Sequence, residues 1–75
     1  MNKQRRKDLL AVLKAVAQAS EDLDQITSEE QEAYDNLPDG IQAGAKGEAL
    51  QENIDLLEQA VGELSDIDST LGELT

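Results

Sequence analysis

Carboxylates are the commonest chemically active groups in this 75-residue sequence. Seventeen Asp and Glu stand against six Lys and Arg, with no His, no Cys and one aromatic residue, Tyr34. Two carboxylates can divide the roles of general acid and general base when their surroundings push their proton affinities apart. Here they fall on helix faces expected to be solvated, which lack the burial such a pair needs. No Ser, Thr or Lys occupies a recognisable activated motif, and no His or Cys is present as base or nucleophile. No enzyme activity and no catalytic residue are therefore expected.

Metal and phosphate chemistry are equally poorly supplied. Asp22-Leu23-Asp24 begins like a calcium loop, but Gln25, Ile26 and Thr27 follow where further oxygen ligands and a glycine are required. Without Cys or His there is no structural zinc site, and no Glu-x-x-His motif for a di-iron bundle. Gly44-Ala45-Lys46-Gly47 lacks the upstream glycine spacing and the Ser or Thr after Lys that define a P-loop. No cofactor and no metal are expected.

Charge is divided unevenly along the chain. The first fourteen residues hold five bases against Asp8 alone; from residue 15 onward sixteen acids oppose Lys46 alone. Lys3, Arg5, Arg6 and Lys7 are candidate anion contacts, able to grip the phosphates of a nucleotide or nucleic acid. No aromatic or glycine accompanies them to stack or wrap a base. Pairing with acids of the same chain is the simpler explanation. The net charge of -11 makes the body a poor ligand for nucleic acid or an anionic membrane. A belt of acids from Glu29 to Glu63 could instead imitate DNA phosphates, although solvation of a small helical protein accounts for it more economically.

Lys3–Lys7, Leu9–Ala17 and Ala17-Gln18-Ala19 have the outline of a signal peptide. Asp8 and Lys14 interrupt the apolar stretch, and the helical stripe continues past the cleavage point, so a cytoplasmic protein is expected. No run reaches the ~18 apolar residues of a membrane span.

These groups are positioned by two helices. Leu9, Val12, Val16, Ala19, Leu23, Ile26, Glu30, Ala33 and Leu37 alternate steps of three and four, the heptad spacing of a coiled coil. Leu13, Ser20, Thr27 and Tyr34 lie beside that stripe and widen it. Thr27-Ser28 offers two overlapping capping boxes, where the helix could kink or run through. Because the stripe keeps its phase there, one helix is predicted over about residues 3–36. Leu37-Pro38-Asp39-Gly40 punctuates a turn over about 37–45, with Ile41 as an apolar plug. A second helix is predicted over about 46–74, with Leu50, Asn53 or Ile54, Leu57, Ala60 or Val61, Leu64, Ile67, Leu71 and Leu74 as its stripe.

The expected fold is all-α: one domain over residues 1–75, an antiparallel helical hairpin. Its basic start would lie beside Glu63, Asp66, Asp68 and Glu73, each cluster offsetting the other's unfavourable place in the helix macrodipole, a pairing that an antiparallel dimer could equally make between chains. Two helices cannot enclose a core, so assembly into a helical bundle, as a homo-oligomer, is expected, with docking on a partner protein as the other solution. The proposed self-association face comprises Leu9, Val12, Val16, Leu23, Ile26, Ile54, Leu57, Val61, Leu64, Ile67 and Leu71.

Residues 29–38, EEQEAYDNLP, followed by Gly47-Glu48 and ENIDLLE at 52–58, resemble a group of small helical proteins of phages and prophages of Gram-positive bacteria. The string covers about residues 28–61. Asp39-Gly40-Ile41 stands where the group continues P-E-S-L. The group carries no assigned activity, so the resemblance implies a mobile-element origin and a site of action in the host cell cytoplasm. The expected function is a non-catalytic protein-binding module that self-associates and inhibits or modulates a host protein, such as a defence protein. Tyr34, Asn36, Leu37 and Pro38 at the hairpin tip are its candidate recognition residues. Two alternatives are an acidic DNA mimic that blocks a nucleic-acid-binding protein, and a helical oligomer that sequesters an anionic nucleotide through Lys3, Arg5, Arg6 and Lys7.

Overall fold

Asn2 starts the first helix. In the computed structural model, which describes Met1–Thr75, the Arg5 backbone N–H donates to the Asn2 side-chain oxygen at 2.8 Å. This satisfies one of the donors that a helix start leaves open. Helix α1 then runs over Lys3–Asp35 without interruption. Neither capping box at Thr27-Ser28 is used: the Thr27 hydroxyl donates to the Leu23 carbonyl at 2.7 Å, a bond back along the same helix. Replacing Asn2 by alanine should cost about 1 kcal/mol, whereas Asn2→Asp should keep the cap and add a favourable charge at the helix N-terminus. Urea denaturation of the three proteins tests this; equal midpoints would show that the cap contributes nothing.

An acidic helix with few lysines cannot be laced by ion pairs, and this one uses amides instead. Six glutamines donate to a carboxylate one turn on, at 2.9–3.2 Å: Gln4 to Asp8, Gln18 to Asp22, Gln25 to Glu29, Gln31 to Asp35, Gln51 to Asp55 and Gln59 to Glu63. Each such pair stabilises a helix by about 0.2–0.5 kcal/mol.

The turn holds more structure than its residues suggest. Pro38, with φ of -57°, precedes a single helical turn, α2, over Asp39–Gln42. The Pro38 carbonyl accepts from the N–H groups of Ile41 and Gln42 at 2.8 and 2.9 Å. Helix α3 follows over Ala45–Gly72. Gly47 is buried because the backbone of Gln42 lies directly on it. Ile41 does not plug the end as expected: it is 45% exposed, because α2 turns its backbone rather than this side chain toward α3.

Helices α1 and α3 form an antiparallel hairpin, with no strand anywhere in the chain. Its register is marked by the Asn53 amide donating to the Glu30 carboxylate at 3.0 Å. The Cα extents are 58 × 15 × 12 Å and the radius of gyration is 17.2 Å. A compact domain of this length would have a radius near ~11 Å. Ile54, 1% exposed, is the only buried hydrophobic residue.

The seam is rotated from the expected stripe. Leu9, Val16, Ala19, Leu23 and Glu30 of that stripe are half-buried, with Leu37 just past the end of α1, and so are Leu13, Ser20, Thr27 and Tyr34 beside it, whereas Val12, Ile26 and Ala33 are exposed. Residues placed beside the stripe thus help to form the contact, and part of the stripe lies outside it. A face wider than one neighbour can cover permits either choice; packing against α3 selects one.

Candidate interaction surfaces

The hairpin's two long sides differ in chemistry. On one side a shallow groove runs between Ile26 and Glu30 of α1 and Asn53, Leu56 and Leu57 of α3. Helical spacing extends this flank through Val12, Ala15, Ala19 and Ala33, and through Ala49, Ala60 and Ile67. Val12, Ile26, Leu56 and Ile67 are 49, 46, 64 and 46% exposed there. The groove on the opposite side is lined by Val16, Ala17 and Leu64 together with Ser20, Glu21, Asp24, Ser65 and Asp68. One flank is therefore largely aliphatic, and the other is polar and acidic.

Of the residues expected to mediate self-association, Ile54 is enclosed within the hairpin and is not available to a second chain. Leu9, Val16, Leu23, Leu57, Val61, Leu64 and Leu71 lie half-buried along the seam. Val12, Ile26 and Ile67 lie outside it on the apolar flank. Leu56, absent from the expected stripe, is the most exposed large aliphatic residue of the flank. Its signal in the sequence is the Leu56-Leu57 pair: on a helix two adjacent apolar residues belong to different rows, so one row faces away from α1.

The basic cluster sits apart from the acids expected to neutralise it. Carrying the Glu30–Asn53 register along the two helices puts Gly72, the end of α3, beside about residue 11 of α1. The first turns of α1 thus project past α3 by roughly 12 Å. Lys3, Arg5, Arg6 and Lys7 are all exposed on this projection, and the hydrogen bonds donated by side chains come from Gln, Asn and Thr, none from a Lys or Arg side chain. The expected pairing with Glu63, Asp66, Asp68 and Glu73 is not made. Helix α1 has 33 residues and α3 has 28, and the difference falls at the open end. Lys3, Gln4, Arg6, Lys7 and Leu10 line a shallow groove on this projection.

At the tip, Tyr34 and Leu37 are half-buried and Asn36 and Pro38 are exposed. Asn36 takes the C-cap position of α1; its N–H donates to the Glu32 carbonyl at 3.0 Å, and the Leu37 N–H donates to the Tyr34 carbonyl at 3.1 Å. The Gln42 amide donates to the Tyr34 carbonyl at 3.0 Å, tying α2 to the end of α1. The four residues are neighbours at one end of the rod but line none of its three grooves. No three acidic side chains converge in a way that could hold a metal ion. No helix is long and apolar enough to cross a membrane.

Compared with protein families, curated proteins and solved structures, the chain matches none of them.

Proposed function

We propose that this protein is a small non-catalytic binding module that self-associates and modulates a host protein by direct contact. One observation carries the self-association: a rod with a single buried hydrophobic residue leaves one flank aliphatic and the other acidic, so its core is half built. Completing that core requires another protein surface. The exposed accessible area points the same way. The chain exposes 5507 Å², whereas a compact monomer of its mass would expose about 4,500 Å².

The resemblance of residues 28–61 to phage and prophage proteins supplies the setting: a mobile element acting on a protein of its host, in the host cytoplasm. With the flank occupied by self-association, the tip residues Tyr34, Asn36, Leu37 and Pro38 are the proposed contact to that protein. The test is capture from a lysate of a Gram-positive host with wild type and a Tyr34→Ala/Pro38→Ala variant as parallel baits, followed by titration calorimetry with the purified partner. One host protein should be retained by wild type and bind the variant about tenfold or more weakly, as expected when contacts near the centre of an interface are removed. Equal retention by both baits would remove the tip from the mechanism. A nucleic-acid-binding partner released steeply as salt rises would instead establish the DNA-mimic alternative.

A further inference from the structure

Resting on the self-association proposed above, we infer that the apolar flank is covered by a second copy of this chain. The two hairpins run antiparallel, related by a two-fold axis that passes between their α1 helices at the level of Ala19. Arg5, Val12, Ala19, Ile26 and Ala33 recur every seven residues and so form one row along the flank side of α1. Turned end for end about Ala19, this row meets itself in a complementary order. Val12 lies against Ile26 of the second copy, Ala19 against Ala19, and Arg5 against Ala33. The two exposed β-branched residues pair with each other, and the alanine at the axis lets the helices approach closely.

Charge selects the antiparallel direction. The projecting turn that carries Lys3, Arg5, Arg6 and Lys7 has no acidic partner within its own chain. In the antiparallel pair it lies over the acidic stretch Glu29–Asp35 of the second copy, and Arg5 enters beside Ala33 between Glu29 and Glu32. A parallel pair would set the two basic turns side by side and leave the acids facing acids, and such like-charge contacts are strongly unfavourable. The acidic flank, with Glu21, Asp24 and Asp68, stays in water.

The chain has no cysteine, so single introduced thiols report the geometry cleanly. Light scattering at micromolar concentration should give twice the chain mass of 8.1 kDa. A monomer would overturn this pairing together with the self-association it rests on, and would leave the flank to a protein of another sequence. Given a dimer, mild oxidation should link Ala19→Cys to itself. It should also link Val12→Cys to Ile26→Cys in an equimolar mixture, and neither of these alone. A dimer in which Ala19→Cys does not link would overturn the antiparallel pairing while self-association stands. Arg5→Glu should weaken the dimer about tenfold, and adding Glu32→Arg to the same chain should restore it. Weakening without restoration would equally overturn the assigned register.

Discussion

Ile54→Ala should destabilise the hairpin by about 3 kcal/mol, the largest loss expected from any aliphatic truncation in the chain. Ile54 is the one side chain removed from water, at 1% exposure, so its truncation loses nearly the whole transfer free energy and leaves a cavity. Total stability for a chain of this length is roughly 4–11 kcal/mol, so the variant would be close to unfolding. Leu56→Ala sets the comparison. Leu56 lies two residues away on the same helix but is 64% exposed, so within a single hairpin its truncation should cost less than about 0.5 kcal/mol. Urea denaturation of both variants at low protein concentration decides the matter. Equal costs would mean that the hydrophobic centre is not where Ile54 lies.

Gly47→Ala should also be strongly destabilising, by about 2–3 kcal/mol, against the trend of helix propensity. In an open helix position, replacing glycine by alanine gains about 0.5–1 kcal/mol. Gly62 is such a position: a Cβ there meets nothing within 4 Å, so Gly62→Ala should stabilise the protein. At Gly47 a Cβ would overlap the Gln42 carbonyl and come within 2.7 Å of the Gln42 Cα. These are backbone atoms of α2, which is only four residues long and is held by the Pro38 carbonyl and by the Gln42 amide on Tyr34. They cannot turn aside as a flexible side chain would. Thermal unfolding of Gly47→Ala and Gly62→Ala should therefore shift in opposite directions. A shift to higher temperature for Gly47→Ala would show that α2 does not rest on α3.

The hairpin itself is legible in residue order because its causes are local. Apolar residues spaced by three and four make each helix amphipathic, and Pro38 with the glycines after it breaks them apart. At Thr27-Ser28 the phase of the stripe favours one helix while the capping boxes leave a kink open, and only the structure shows α1 unbroken there. The glutamine ladders could have been read from the spacing of four between Gln18 and Asp22, or Gln25 and Glu29, had the acids been sought as hydrogen-bond acceptors. The rotation of the seam could not be read in this way. Val12 and Leu13 are nearly equivalent in hydropathy, and so are Leu56 and Leu57. Which of each pair faces the other helix depends on the crossing geometry of the whole hairpin.

Composition alone settles that any core must be built by aliphatic side chains, since a chain with one aromatic and no Cys has little else to pack. It also settles that the chain carries a basic start on an acidic body. Tertiary structure decides where those charges end up. Unequal helix lengths and the Asn53–Glu30 register carry Lys3, Arg5, Arg6 and Lys7 beyond the end of α3, away from the acids that would have neutralised them. The same packing encloses Ile54 and leaves Val12, Ile26, Leu56 and Ile67 in water. Helical periodicity places a residue on a face, but only the height and rotation of one helix against another determine whether that face is covered.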